Sequence, residues 1–455
     1  MHPRHAANRP PQPPKHRLKI ARRSPLAVVG ALVAASVLAG GVAAAERLRQ
    51  LDSNLTVLGD VDELIDSDDR PERQATTSAE PAPLDPFGGQ AVNILITAID
   101  SRDGENADVV QDAMMGTLSN DVNMVAHISA DRSRVDVVAL PRDTFVEMPS
   151  CKQPNGHEVG PARQVMLNNA FLRGSASDVS AKNEGVACIV KTIESVTDIR
   201  LDSFILVDFA GFANVIDALD GVDICLPDGL KSQKAHLDLP RGQQHLDGQT
   251  ALQFARARDP RDADGKSLSD GSDVQRISHQ QQLIATVINE VLASGNLQSL
   301  PKLNTTATAI TKSLYVGEDL GSVVSLAGLA YALRDIKLEN VSLFTIPWAQ
   351  AQSDSNRVVL AEYGSKDRFG GLGATEIFAL IATDRPVPGT IPYKLSNPEP
   401  ASDAASPDPA DPSAAGTPGA APETSTDAAP TADEEFVTPV DAPVTCQVEG
   451  AGSTG

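Results

Sequence analysis

A run of 22 residues without a single charge, Ser24–Ala45, divides this chain into parts that cannot share one fold. At about 1.5 Å per helical residue, such a run crosses a hydrocarbon layer about 30 Å thick. The preceding 23 residues hold seven Lys or Arg (Arg4, Arg9, Lys15, Arg17, Lys19, Arg22, Arg23) and no acid, a flank that stays on the cytoplasmic side. The expectation is a single-pass anchor with everything after it outside the cell membrane. A cleaved signal peptide is the competing reading, because Ala43-Ala44-Ala45 satisfies the small-x-small rule, although the apolar run exceeds the usual h-region of about 7–15 residues.

The exported part is itself uneven. Residues 46–89 form an expected linker: Asp52–Gly89 is acidic and rich in Pro, Ser and Thr, with Asp66-Ser67-Asp68-Asp69-Arg70-Pro71 and Pro81-Ala82-Pro83 arguing against a packed layer. A short helix near the membrane is expected over Leu55–Ile65. At the far end, 396–455 carries eleven Asp or Glu and no Lys or Arg, half of the formal charge of −22. Its Ala/Pro/Ser/Thr composition cannot bury enough apolar area to offset ordering entropy, so disorder is expected. The folded domain is expected over 90–390.

An excess of 60 Asp and Glu over 38 Lys and Arg excludes a general nucleic-acid binder, whose partner this surface would repel. Four cysteines, Cys151, Cys188, Cys225 and Cys446, form no CxxC pair and fit neither a zinc ribbon nor a thioredoxin-type redox motif.

Within the domain, short apolar or β-branched runs predict strands at 92–97, 123–129, 135–140, 204–207, 222–226 and 341–346. Helical periodicity covers 186–196, 209–219, 249–254, 276–293 and 320–333. Alternation of the two implies a three-layer α/β/α domain in which helices cover a central mixed sheet.

Two of the strands run directly into an acid and an arginine: Asp100-Ser101-Arg102 and Pro141-Arg142-Asp143-Thr144. Ligand sites of open α/β sheets gather at the carboxyl ends of strands, though either motif alone also suits a surface turn with a salt bridge. A third cluster, Arg256-Ala257-Arg258 followed by Asp273 through Arg276 to Gln280, combines guanidinium forks suited to bidentate phosphate binding. Arg256 and Arg258 share a face if extended, and Arg276 and Gln280 stand one turn apart in a helix. A solvated basic face is the plainer alternative, made less attractive because the chain is poor in positive charge beyond residue 23. Asp100, Asp121, Arg102, Arg142, Arg256, Arg258 and Arg276 together balance a diphosphate and a divalent cation, and hard oxygen ligands suit magnesium, with manganese also acceptable. No P-loop is present, which argues against Walker-type nucleotide hydrolysis.

The order of these motifs resembles the LytR-CpsA-Psr family of cell-envelope glycopolymer transferases. The matching stretches are Asn93-Ile94-Leu95 through Asp100-Ser101-Arg102, Asp121 before Met124–Ile128, Leu140 through Thr144, Leu167-Asn168-Asn169-Ala170-Phe171, Asp208-Phe209 with Asp220-Gly221-Val222-Asp223, His245 through Arg258, and Asp273 through Gln280. They cover roughly 90–290, with a weaker match to about 385. The Ala/Pro-rich style and the Cys-containing insert near Cys151 look like actinobacterial members.

The resemblance implies transfer of a glycan from a polyprenyl diphosphate carrier to a hydroxyl of peptidoglycan or a surface protein, as a phosphodiester. It also implies an apolar tunnel for the lipid tail. Carried over residue by residue, Asp100 and Asp121 would be the metal ligands. Arg142, Arg256, Arg258, Arg276 and Gln280 would grip the phosphates, Arg102 and Asp143 would position them, Asn168 would contact the diphosphate, and Asp273 would orient an arginine. Ser119-Asn120-Asp121 stands where the family often has Arg-Ser-Asp, and Met166-Leu167-Asn168 where it often has Lys-Ile-Asn, so two positive contacts are missing. Asp112 rivals Asp121 as second metal ligand; Asp121 is preferred because it lies against a strand.

Diphosphate cleavage builds charge on bridging and leaving oxygens, which arginines and magnesium stabilise in a partly dry cleft. Asp143 and Asp100 both remain candidates for the base that deprotonates the acceptor. His127 is expected as a satisfied core histidine, and Ser101 as a turn residue. A pyrophosphatase acting on the same lipid, or a regulator that merely holds it, are the alternatives. Outside the membrane, cysteines tend to pair; Cys151–Cys188 is the expected disulfide, leaving Cys225 and Cys446 for each other.

Overall fold

A computed structural model describes residues 45–388, except 60, 74–78, 102–117, 258–259, 269–273, 294–299, 337–339 and 365–368. The chain divides into two compact units, Met1–Gln50 and Leu51–Gly455. Of the first, residues 45–50 are described and helical. No helix among the described residues is long and apolar enough to cross a membrane. The expected anchor, apart from Ala45, and the expected disordered tail both lie outside the described residues.

The second unit is built on a seven-stranded mixed sheet. In chain order its strands are β1 (Thr56–Val57), β2 (Val92–Asp100), β3 (Ser119–Ile128), β4 (Val135–Ala139), β5 (Ser203–Asp208), β6 (Leu314–Val316) and β7 (Val341–Thr345). Spatially they run β1-β6-β5-β2-β3-β4-β7. The pairs β1/β6, β5/β2 and β4/β7 are parallel, and the others antiparallel.

Period-two alternation sends apolar side chains to both faces. On one face Leu95, Ile99, Val125, Val138 and Leu206 pack against Phe171 of α1 (Ala170–Ser175), Ile189 and Ile193 of α2 (Lys182–Thr197) and Ile377 and Ile381 of a helix at Ala374–Ala382. In α2 the buried Val186, Ile189, Val190 and Ile193 fall at helical spacing, and Asp198 in the left-handed region ends the helix.

On the other face lie α3 (Phe209–Ala218), α4 (Gly248–Ala255), α5 (Val274–Ala293), α6 (Leu300–Ser313) and α7 (Val323–Ala332). Here Met124, Ala126 and Ala139 meet Ile277 and Ile284 of α5. Val92, Ile94 and Ile128 meet Leu326 and Leu329 of α7. Helices on both faces of a mixed sheet match the expected class.

Every strand and helix expected within 90–390 is present within a few residues, and the antiparallel hairpin Val222–Leu226/Gly242–Leu246 carries the fifth expected strand. The segment expected as a linker differs. Leu55, Leu58, Val61, Ile65 and Arg70 are buried in the domain, and Leu55–Ile65 forms β1 and one helical turn at Val61–Leu64 rather than a helix. The Arg70 guanidinium donates to Glu194 Oε2 at 2.9 Å and Oε1 at 2.6 Å and to the Leu201 carbonyl at 2.9 Å. Leu51, Leu55 and Leu58 are spaced for one apolar stripe, a signal that the surrounding acids and prolines mask.

Cys151 and Cys188 are disulfide-bonded, with Cα atoms 5.4 Å apart, tying the strand Cys151–Lys152 to α2. Gly174 permits this approach: a Cβ there would collide with the Glu184 carbonyl and stand 2.7 Å from Cys188 Cβ. Cys225 is also disulfide-bonded, and its expected partner Cys446 lies outside the described residues.

Candidate active site

The site forms where β2 and β5 end, β3 begins and the chain leaves β4. Asp100 is the last residue of β2 and is buried, opposite Ser119 in the ladder. Between them the register slips. Ala98 pairs with Val122 but Ile99 pairs with Asn120, leaving Asp121 as the extra residue of a β-bulge.

The bulge decides which way the acid points. By strict alternation Asp121 would share a face with Asn123 and Val125, toward α1. Instead Asp121 and Val122 both line a cavity on the opposite face, while Asn120 and Asn123 face each other toward α1. Asn120 Nδ2 donates to Asn123 Oδ1 at 2.7 Å and to the Leu167 carbonyl at 3.2 Å. Its Oδ1 accepts from Phe171 N at 3.1 Å. This buried pair fastens β3 to the segment carrying Asn168, and neither asparagine is singled out by sequence.

Pro141–Thr144 is a tight turn: Thr144 N and Oγ1 both donate to the Pro141 carbonyl, at 3.1 and 2.6 Å. Leu167 N to Thr144 O (2.9 Å) and Asn168 N to Arg142 O (3.0 Å) strap it to the Asn168 segment. Arg142 Nη1 donates to Asp121 Oδ1 at 2.8 Å, and Arg142 Nε lies 3.8 Å from Asp143 Oδ1. Ser119 Oγ adds a 2.9 Å bond to Asp121, and Arg276 Nη1 lies 3.9 Å from its Oδ2. Burial alone would push the Asp121 carboxyl up; Arg142 and then Arg276 outweigh it and hold it below its usual range, so it stays ionised.

Arg276 and Gln280 are both buried, one turn apart on α5 as expected. Gln280 Nε2 reaches the Ala255 carbonyl at 3.4 Å. Arg256 closes α4 in helical geometry rather than in a strand, and its guanidinium stacks 5.0 Å from the Phe209 ring centroid. Asn168 is buried, with Oδ1 lacking a hydrogen-bond partner. His279 stacks on Phe254 at 4.5 Å, and burial lowers it to about 4, leaving it neutral. Arg102, Arg258, Asp273 and the rival Asp112 lie outside the described residues.

His127 is a satisfied core residue, its Nδ1 2.8 Å from Asn93 Oδ1 and its Nε2 3.0 Å from Asp384 Oδ1. Ser101, expected in a turn, is buried where the chain leaves β2.

Asp121, Arg256, Arg276 and Gln280 line, together with Ile96, Phe209, Phe212, Leu252, Leu283 and Val287, a cavity of about 220 Å³. Apolar wall and charged cluster are therefore one continuous surface. No group of three or more His, Cys, Asp or Glu able to hold a metal is found among the described residues. A magnesium ion that takes one or two carboxylates and completes its shell with phosphate and water asks for less, and Asp100 with an ionised Asp121 fits that donor set.

Fold and site define a class: an α/β domain whose strand ends join an apolar cavity to a cationic, carboxylate-bearing cluster. The chain belongs to the LytR_cpsA_psr family, whose model matches residues 63–369. It is 27% identical over 270 residues to the cell wall biosynthesis protein LcpA of Corynebacterium glutamicum, covering 56% of this chain and 50% of that one. To the polyisoprenyl-teichoic acid–peptidoglycan teichoic acid transferase TagU of Bacillus cereus it is 26% identical, covering 50% and 60%. The matches thus span about half of the first relative and three-fifths of the second. Among solved structures, it is similar to the LytR-Csp2A-Psr enzyme from Actinomyces oris, at 17% identity and a TM-score of 0.45, covering 69% and 96%.

Proposed function

We propose that this protein transfers a glycopolymer from a polyprenyl diphosphate carrier to a hydroxyl of peptidoglycan or a surface protein, forming a phosphodiester. The observation that carries the reading is the shared wall: the cavity that would take an isoprenoid tail is lined in part by Asp121, Arg256, Arg276 and Gln280. A glycan-linked polyprenyl diphosphate has this two-part chemistry, an apolar chain followed by a diphosphate with two negative charges. Names of the relatives support the same direction.

In this mechanism Arg142, Arg256 and Arg276 hold the phosphates and stabilise the charge that grows as the diphosphate bond breaks, with Arg102 and Arg258 as further donors and Asp273 as the orienter of an arginine. Arg142 is set in place by the Pro141–Thr144 turn and by Asp121. The neutral side chains of Gln280 and Asn168 orient without adding charge. Asp143, beside Arg142, or Asp100 takes the acceptor proton. Magnesium, or manganese, held by Asp100 and Asp121, would supply further neutralisation of phosphate charge. The catalytic domain stands outside the membrane, tethered by 24–45.

The test is reconstitution of the full chain with radiolabelled lipid-linked glycan and peptidoglycan. Label entering the acceptor, lost in Arg142→Ala, supports the transfer. Release of free glycan phosphate with none on the acceptor would replace it with a pyrophosphatase, and no turnover with lipid still bound would leave a regulator.

A further inference from the structure

Six large hydrophobic side chains are exposed among the described residues: Leu48, Val57, Leu84, Val324, Tyr331 and Tyr363. Four of them gather at one helix and the turn that leads into it. Helix α7, Val323–Ala332, contains no charged residue, and a helix apolar all round is ordinarily buried. Its inner stripe, Leu326 and Leu329, packs on the sheet. Its outer stripe is solvent-facing, with Val324 at 44% and Tyr331 at 48% exposure.

Positions 324, 328 and 331 follow the spacing of a single helical face. Val57 lies beside Gly321, which precedes the extended N-cap Ser322, a Cβ built at Gly321 standing 3.0 Å from Val57 Cγ2. Leu84 lies over position 328, its backbone carbonyl pressed against Gly328 and its Cβ 3.2 Å from a Cβ built there. Leu84 is 70% exposed and sits at φ 65°, a left-handed conformation unusual for leucine. Val324, Leu84 and Tyr331 thus lie along one exposed apolar stripe of α7, with Val57 beside the turn that leads into it. At its end the Arg334 guanidinium stacks 4.0 Å over the Tyr331 ring and donates to the Tyr331 carbonyl at 2.8 Å. An aromatic ring beside a long cationic side chain is the pairing that sits comfortably at a bilayer interface.

We infer that this stripe rests on the phospholipid bilayer. Chain connectivity singles out that occupant. Leu51 follows the uncharged run 24–45 by only six residues, and the segment from Leu51 is built into α7: Asp52 Oδ1 accepts from Val323 N at 2.7 Å, and Leu55 packs in the same cluster as Leu326 and Leu329. The polypeptide that leaves the proposed anchor therefore arrives at this helix. A second copy or another protein fits less well. A stripe on a helix about 15 Å long falls far short of the roughly 1,200 Å² that a stable interface buries. A tethered bilayer has no such threshold, because the anchor fixes its local concentration. The contact is apolar, so it should not depend on anionic lipid.

The inference takes only the membrane anchor from the proposed function, not the chemistry. It is tested with the full chain in lipid nanodiscs, in a Trp348→Phe background that removes the sole tryptophan. Tyr331→Trp and, as a matched exposed control away from the stripe, Tyr363→Trp are compared in discs of phosphatidylcholine with and without dibrominated acyl chains. Tyr331→Trp should lose about half of its emission or more to the bromolipid, equally when phosphatidylglycerol is added, and Tyr363→Trp should be unaffected. Val324→Trp repeats the measurement should Tyr331→Trp misfold. Retention in the disc with no quenching at 331 or 324 would overturn the contact and leave the anchor standing. Blue-shifted emission without bromolipid quenching would also overturn it, assigning the stripe to a protein. Loss of the chain from the disc would overturn anchor and contact together, while label transfer to peptidoglycan could still succeed.

Discussion

Arg142 Nη1 donates to Asp121 Oδ1 at 2.8 Å across the gap between two strand ends, and each side chain is only 11% exposed. Neither group is positioned by its own strand alone. The carboxylate is turned by a bulge and the guanidinium is held by a turn, so the pair joins two independent local devices into one site.

Arg142→Ala is expected to lower transfer by about a hundred- to a thousandfold, the usual effect of removing one donor to developing negative charge. Arg256→Ala should fall in the same range. Single-turnover assays with labelled lipid-linked glycan, alongside thermal melts to show intact folding, provide the measurement. Activity within threefold of wild type in both variants, about 0.7 kcal/mol at most, would remove these arginines from the chemistry.

Asp121 links the site to acid stability. Its folded pKa lies below the ordinary carboxylate value, so its contribution is complete above the unfolded value of about 3.9 and fades as pH falls through the folded one. Asp121→Asn should cost about 1.5–3 kcal/mol at pH 7, because Arg142 loses its 2.8 Å carboxylate partner and keeps Asp143 at 3.8 Å. Urea midpoints of the two proteins should converge below about pH 3.9; a gap independent of pH would contradict the ion pair.

Reduction of Cys151–Cys188, or Cys188→Ala, should cost about 3–4 kcal/mol for a closure of this length. The sequence separation is 37. Urea unfolding of wild type and of Cys151→Ala/Cys188→Ala checks it, and an unchanged midpoint would contradict the loop-closure contribution.

Arg70 and Glu194 are 4% and 1% exposed at their side chains, and Glu194 Oε1 also accepts from Leu201 N at 2.8 Å. Glu194→Ala should destabilise by about 3–5 kcal/mol, and limited proteolysis should then cut first near residues 70–73. Arg70→Met is expected to cost less than Arg70→Ala, since it keeps most of the buried volume.

The sheet was legible because its strands are apolar on both faces and its helices keep an unbroken period: 92–100 and 182–197 leave little choice. The segment from Leu51 to Arg70 was not, because composition spoke for a linker while buried Leu51, Leu55, Leu58 and Arg70, spread over a helix end, the two flanks of β1 and a bend, carried the packing. Of the site, the Pro141–Thr144 turn and the Arg276/Gln280 pair follow from local chemistry. Arg256 was legible as a residue but not as a helix end, since Phe254-Ala255-Arg256 suits either conformation until Phe209 is placed beneath it. Asn120 and Asn123 gave no signal at all. Two buried amides acquire meaning only when the chain around Leu167 and Phe171 is brought against them.

The bulge at Asp121 also governs how this chain is to be compared with its relatives. Ten residues of β3 stand against nine of β2, so the parity that holds from Ile128 back to Val122 is broken one step earlier. Counting odd and even positions from the apolar body of the strand assigns the carboxylate to the core beside Phe171. Counting from Asp100 through its partner Ser119 assigns it to the cavity. An alignment scored on hydrophobic periodicity will thus drift by one place at the position where the chemistry begins, and a natural variant lacking Asn120 would keep the acid while turning it toward the core.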